Sequence, residues 1–165
     1  VTDWNQIVGE HGPRVFAIAW RILGHAADAE DVVQEVFLEA HQLQRNEPVR
    51  CWRALLQRLA TCRSLDRLRQ RCLHPAVPLD GLHLVCRNGS PEEPLLEHEL
   101  ADRLRLALAQ LPGRESSVFC LRYFEDLSYQ QIATILHIQV GAVSVALHKA
   151  RARLETLLHL TVPGG

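Results

Sequence analysis

The sequence predicts an all-α chain of two small helical units joined by a proline-rich linker, and three observations carry that expectation. Apolar residues recur with one period only, close to 3.6 residues, in both halves of the chain. No segment keeps the period-two alternation of a half-buried strand for more than a few residues. Pro75, Pro78, Pro91 and Pro94, half of the eight prolines, crowd into residues 72–95 with Gly81, Asn88, Gly89 and Ser90. Fixed φ angles and missing N–H groups make that stretch a semi-extended linker. The expected units are therefore residues 1–71, a flexible linker over 72–95, and residues 96–160.

In the first unit, Val15, Phe16, Ala19 and Ile22 line one helix, which Gly24 closes. Ala29, Val32, Val33, Val36, Phe37 and Ala40 follow at i, i+3, i+4, i+7, i+8 and i+11, with Asp28 expected as the N-cap. Trp52, Leu55, Leu56, Leu59, Cys62, Leu65 and Leu68 carry the same logic through about five turns. These residues read as a bundle of three or four helices. Within the linker, Leu79, Leu82, Leu84 and Val85 are expected to pack only transiently.

The second unit opens with a narrow stripe of Leu96, Leu100, Leu104, Leu108 and Leu111, ended by Pro112-Gly113. A short helix carries Val118, Leu121, Tyr123 and Phe124. Ser128-Tyr129-Gln130-Gln131 fits a capping box for a further helix with Ile132, Ala133 and Leu136. After a three-residue turn, with Ile138 expected inward, Val143, Leu147, Ala150 and Leu154 line the last helix. Two short helices joined so tightly form a helix-turn-helix signature, with an ordinary helical hairpin as the plainer reading.

Composition narrows the function. The 165 residues are 47% hydrophobic and 22% charged, as in a soluble globular protein. Apolar runs fall far short of the roughly 20 residues needed to span a bilayer, and the VTDWNQ start shows no secretory pattern. Five Cys without a CxxC pair predict free thiols in a reducing cytoplasm, with Cys51, Cys62 and Cys120 as small core residues. There is no HExxH or HxxxH pair, no Gly-rich phosphate loop and no Ser/His/Asp arrangement. No catalytic residue, metal or cofactor is expected, although Cys72, His74 and Cys86 could in principle bind a metal or sense oxidation.

A net charge of −1 hides strong segregation: residues 1–49 hold three Arg against eight acids, whereas residues 50–71 hold seven Arg against Asp66 alone. Arg63, Arg67 and Arg71 stand at i, i+4 and i+8, and like charges at that spacing cost about 0.2–0.5 kcal/mol per pair. Such a ridge predicts an anionic partner, nucleic-acid phosphate first, with a solvated Arg-rich face as the other reading. Asp28, Glu30, Asp31, Gln34, Glu35 and Glu39 lie largely opposite their helix's apolar stripe, and the acids beyond the first turn suggest a basic protein surface. In the last helix, Gly141, Ala142, Ser144, Val145 and Ala146 offer no Arg, Lys, Asn or Gln for bidentate base contacts. His148, Lys149, Arg151 and Arg153 follow and suit phosphates.

Taken in order, these blocks resemble an RNA polymerase sigma factor of the extracytoplasmic function (ECF) group. DAEDVVQEVFLEAH (Asp28 to His41) resembles the region 2 helix that docks on the polymerase clamp, and WRALLQRLATCRSLDRLRQR (Trp52 to Arg71) resembles the helix used at the −10 promoter element. LPGRESSVFCLRYFEDLSYQQIATIL (Leu111 to Leu136) and the helix through Leu154 resemble region 4. The resemblance implies that Asp28, Glu30, Asp31, Gln34, Glu35 and Phe37 face or shape the polymerase contact. It implies that Arg63, Asp66, Arg67 and Arg71 lie near −10 DNA, and that the loop Gln44 to Val49, with Arg45 and Asn46, captures a flipped base. For the −35 element it implies Ser128, Gln139, Ser144, Val145, His148, Lys149 and Arg151. It further implies core RNA polymerase, promoter DNA and an anti-sigma factor as partners, a cytoplasmic location and no membrane insertion.

The chain departs from the family pattern at Ser144 and Ala146 (commonly Lys or Arg), Gln131 (frequently acidic), His137 (usually the turn Gly) and Cys62 (commonly Asn). Two other readings therefore stand beside a promoter-specificity subunit. One is a polymerase-binding regulator with degenerate −35 contacts; the other is a stand-alone, dimeric helix-turn-helix regulator. An enzyme comes third and would need a bound metal or a deep pocket of titratable groups.

Overall fold

The computed structural model describes residues 2–73 and 95–159. The expectations placed on residues 74–94, including Pro75 to Pro94, His74 and Cys86, lie outside the described residues, as does the side chain of Leu96. Seven helices make up the described residues: α1 (Trp4–Leu23), α2 (Ala26–Asn46), α3 (Trp52–Leu73), α4 (Leu95–Gln110), α5 (Gly113–Tyr123), α6 (Tyr129–Leu136) and α7 (Val140–Leu158).

Helices α1 to α3 form a bundle because each contributes one apolar stripe to a shared interior. Val15, Ile18, Ala19 and Ile22 meet Val32, Val36 and Ala40 and also Leu56, Ala60, Leu65 and Leu68, all buried. Full burial of each large side chain contributes about 1.5–3 kcal/mol. Asp3 caps α1 by accepting from the Asn5 and Gln6 amides, and α1 then runs through Pro13 without breaking. At its far end Gly24 takes φ 64°, a left-handed conformation that costs glycine least, and donates its N–H to the Trp20 carbonyl at 2.7 Å. Trp4 stacks edge-on against Trp52 at 5.2 Å and tilts against His41 at 5.0 Å, tying the start of α1 to α2 and α3.

One expected cap shifts. The N-cap of α2 is His25, not Asp28: extended by the turn at Gly24, His25 accepts the Asp28 amide on Nδ1 at 3.2 Å. Asp28 thus sits within the first turn, where its charge favours the positive end of the helix.

In the second unit, the helix-turn-helix has its own core of Val118, Leu121, Ile132, Ala133, Val143 and Leu147, with Ile138 packed against it from the turn. The rest of the unit shares a core with the first: Leu108, Leu111, Cys120, Leu154 and Leu158 join the cluster that holds Ile22, Leu65 and Leu68. Polar contacts reinforce the junction. Arg21 donates to the Phe124 carbonyl and to Glu125, both at 3.0 Å, and Arg69 donates to Ser116 Oγ at 2.7 Å. From α4, Arg105 reaches the Ile22 and Arg21 carbonyls at the end of α1, at 3.1 and 3.4 Å. The two units are closed on each other.

Three apolar-stripe expectations are not met. Leu100 is 51% exposed on α4, and Cys51 is exposed just before α3. Leu100 faces an open groove between α4, α5 and α7 with Leu104, Phe119 and Leu158, and Cys62 is only half-buried and joins neither core cluster, whereas Cys120 is buried as expected.

Candidate functional site

The arginine ridge has partners inside the molecule. Arg63 grips Glu39 with two bonds, Nε to Oε2 at 2.6 Å and Nη2 to Oε1 at 2.7 Å, and donates through Nη1 to Asp66 at 2.9 Å. Arg67 donates to Asp31 at 3.3 Å and to Glu35, and lies 3.7 Å from Asp28. Arg71 donates to Asp28 at 3.0 Å and to the Leu23 carbonyl at 2.7 Å. The Arg63 hydrogen bonds pull the Glu39 carboxyl below its ordinary value, and Glu39 in turn raises Arg63.

This ladder corrects the inference drawn from spacing. The repulsion along Arg63, Arg67 and Arg71 is offset by carboxylates of α2, so the ridge needs no external anion to account for it. It also moves the acids: Asp28, Asp31, Glu35 and Glu39 point toward α3, beside the apolar stripe rather than opposite it.

The predicted polymerase-facing residues therefore split between two faces. Asp28, Asp31 and Glu35 belong to the ladder. Glu30 and Gln34 are exposed on the other side of α2, where Gln34, Phe37, Leu38, His41 and Trp4 line a shallow notch. Leu38 is 66% exposed. Sequence reasoning missed Leu38, Trp4 and His41, although Leu38 was legible as an apolar residue that falls off the stripe.

Gln44, Arg45 and Asn46 are not in a loop. They form the last turn of α2, and the connection to α3 is only residues 47–51. Gln44 donates to Thr2 Oγ1, while Arg45 and Asn46 are exposed. Beyond them opens a cleft of about 910 Å³, lined by Asn46, the 47–51 connection, Arg58 and residues 133–135 and 137 of the helix-turn-helix. Among the described residues, the side chains of Arg45, Arg50 and Arg58 make no hydrogen bond or ion pair. With Arg53, exposed on the first turn of α3 and likewise unpaired, they are the cations left available in this part of the molecule.

The helix-turn-helix forms as its sequence dictates. Ser128 Oγ accepts the Gln131 amide at 3.1 Å, and the Gln131 side chain accepts the Ser128 amide at 2.9 Å, closing the capping box. His137 takes φ 56° and donates its amide to Ala133, so α6 ends and α7 departs at 103°. Of the predicted −35 residues, Ser128 serves as the α6 cap. Gln139 is the exposed N-cap of α7 with no side-chain capping bond. Ser144, Val145, His148 and Lys149 are exposed on α7, and Arg151 lies over the Tyr123 ring at 5.3 Å. Arg153 pairs with the buried Glu115 at 2.9 Å, which removes it from the expected phosphate set.

Among the described residues no His/Cys/Asp/Glu group could hold a metal ion, and no single helix is long and apolar enough to cross a membrane. Burial raises the Cys62, Cys72 and Cys120 thiols above their ordinary value, so none of the three is a ready nucleophile.

Comparison with known proteins follows the same division. The family profile described as Sigma-70 region 2 matches residues 7–72, and that described as Sigma-70, region 4 matches residues 101–154. ECF RNA polymerase sigma factor SigL of Mycobacterium tuberculosis is 36% identical over 160 residues, which cover 93% of this chain and 88% of SigL. SigE of Mycolicibacterium smegmatis is 30% identical over 158 residues, and the chain spans 62% of its length. SigW of Bacillus subtilis is 29% identical over 167 residues, covering 92% and 87% of the two chains. The fold also matches the sigma factor RpoE from Bartonella quintana, solved with the anti-sigma factor NepR (TM-score 0.59, 23% identity, 98% and 99% coverage). CnrH, solved with the cytosolic domain of CnrY, matches with a TM-score of 0.58, 26% identity and 95% and 88% coverage. A stand-alone helix-turn-helix protein would account for the second unit and leave the first without a relative. With both sigma regions present, in order, and a relative matched almost end to end, the chain belongs to the ECF family of RNA polymerase sigma factors.

Proposed function

We propose that this sigma factor divides its work between faces that lie apart in the closed molecule. The outer face of α2, with Glu30, Gln34, Phe37 and Leu38, docks on core RNA polymerase: an apolar anchor ringed by polar groups is what a protein interface needs. Asp28, Asp31 and Glu35 shape that helix through the ladder to α3. Arg45, Arg50 and Arg58 anchor −10 phosphates around the 47–51 connection, which receives a flipped base once the helix-turn-helix that walls it in the closed molecule has moved off. The exposed face of α7 reads the −35 element. Opening the Arg63, Arg67 and Arg71 ladder is not required for any of these contacts.

The chain makes and breaks no covalent bond; the polymerase does. Its place of action is the cytoplasm, where the polymerase works. Because RpoE was solved with an anti-sigma factor, an anti-sigma partner is proposed here too. The observation that carries the reading is the pairing of an open, apolar-centred α2 face with a complete helix-turn-helix in one chain. Run-off transcription with purified core polymerase on a genomic fragment library tests it: specific start sites that depend on the chain are expected. Failure to bind core polymerase at low salt would overturn it.

A further inference from the structure

We propose that α7 selects A·T pairs in the upstream element by seating Val145 against the C5-methyl of a thymine, rather than by a forked contact to guanine. The inference rests on the −35 reading of α7. Gly141, Val145, His148 and Ala152 stand at i, i+4, i+7 and i+11, and all are exposed, so they form one outward ridge. Val145 is at its centre and 54% exposed, flanked along the helix by small residues.

Packing explains neither choice. The buried line of α7 is Val143, Leu147, Ala150 and Leu154, on the opposite side, and a Cβ added at Gly141 would meet nothing within 4 Å. The glycine and Ala152 therefore leave room outside the protein, beside an exposed valine, for another surface to approach closely. Charge says which surface. Lys149 and Arg151 flank the ridge on either side, exposed and without a carboxylate partner among the described residues. An apolar floor between cationic edges complements a major groove, whose edges are phosphates and whose floor carries thymine methyls.

The hydrogen-bonding residues agree. Residues 140–148 contain no Arg, Lys, Asn or Gln, so the two-pronged pairing with guanine O6 and N7 is unavailable there. Gln139, exposed at the tip of the helix with no capping bond, has the amide that pairs with adenine N6 and N7. Methyl contact and amide contact both favour A·T pairs.

The test uses the chain bound to core polymerase and two pools of randomised duplex promoters, identical except that one carries uracil in place of thymine. Uracil removes the methyl and keeps every hydrogen-bonding group. In the thymine pool we expect selection of an upstream motif with thymine at a fixed position. Uracil there should weaken binding about fourfold, as expected for one buried methyl. Val145→Ala should bind the thymine motif about as weakly as the unsubstituted chain binds the uracil one, and be indifferent to the replacement. Gly141→Ala should also weaken the upstream contact while leaving the helix intact. An upstream motif equally strong in both pools, or one dominated by guanine and unaffected by Val145→Ala, overturns the proposal and leaves the −35 reading standing. Selection of a −10 motif alone, with no upstream preference in either pool, overturns the −35 reading itself and the proposal with it.

Discussion

Arg105 is the residue whose removal should most directly open the two units. Its Nε donates to the Ile22 carbonyl at 3.1 Å and its Nη2 to the Arg21 carbonyl at 3.4 Å, where α1 ends with unpaired acceptors. Asp102, on its own helix, holds the guanidinium at 3.4 Å. The fit is close: a Cβ placed on Gly24 would come within 2.5 Å of the Arg105 guanidinium carbon. Arg105→Ala deletes charge-assisted bonds worth about 1.5–3 kcal/mol and leaves carbonyls to be rehydrated. Taking about 2 kcal/mol, the open fraction rises about 30-fold. Cys120 reports it, because its thiol is buried in the core shared by both units and burial holds its pKa well up. Labelling of Cys120 with a thiol reagent under native conditions, resolved from the exposed Cys51 by peptide mapping, should accelerate by a similar factor, with helix content unchanged by circular dichroism. An unchanged labelling rate would refute the latch; a faster rate matched by loss of helix would mean global destabilisation rather than opening.

Three further outcomes follow from the same contacts. Glu39 has a depressed pKa in the fold, so its stabilisation is present above the ordinary value near 4.5 and is lost as pH falls through the depressed one. Thermal melts of Glu39→Gln should accordingly show a flatter loss of stability below pH 4.5 than the unsubstituted chain, and parallel curves would argue against the ladder. Leu38→Asp should weaken polymerase binding at least tenfold without lowering the melting temperature, because the side chain is exposed; equal affinity would remove α2's outer face as the docking site. His137→Gly should raise stability by up to about 1 kcal/mol by relieving the left-handed φ, measured by urea denaturation, and a loss would show that the imidazole has a compensating contact.

What could be read from residues alone was what depends on local periodicity. The stripe Val32, Val36 and Ala40, the Ser128 and Gln131 box, and the left-handed closure at Gly24 are set within a turn or two, and each forms as the pattern dictates. The start of α1 was not legible, because Gly9, Gly12 and Pro13 are poor helix formers; burial of Ile7 and the Trp4 contacts hold that turn in place. Charge partners were not legible either. Whether Arg67 meets DNA or Glu35 depends on how far α3 slides along α2, a register that no spacing within α3 encodes. The same blindness affects the test that spacing suggests: reversing Asp31 and Glu35 would break their bonds to Arg67, so a loss of polymerase affinity would no longer report on docking alone.

The closed arrangement constrains how promoter recognition can proceed. Elements at −10 and −35 lie 25 base pairs apart, about 85 Å along straight duplex at 3.4 Å per pair. A compact chain of this length has a radius of gyration of about 15 Å, hence a diameter of about 40 Å. The described fold therefore cannot hold both elements at once. Something must separate α4 and α5 from α3, at the cost of exposing Leu65, Leu68, Leu108 and Leu111. Burying comparable apolar surface on the polymerase would supply that energy, as the α2 notch and the exposed Leu100 already provide apolar ground. Duplex binding without polymerase should then be limited to one element at a time. A mutation that opens the latch at Arg105 should strengthen two-element binding by the free chain, and strengthened single-element binding alone would place the obstacle elsewhere.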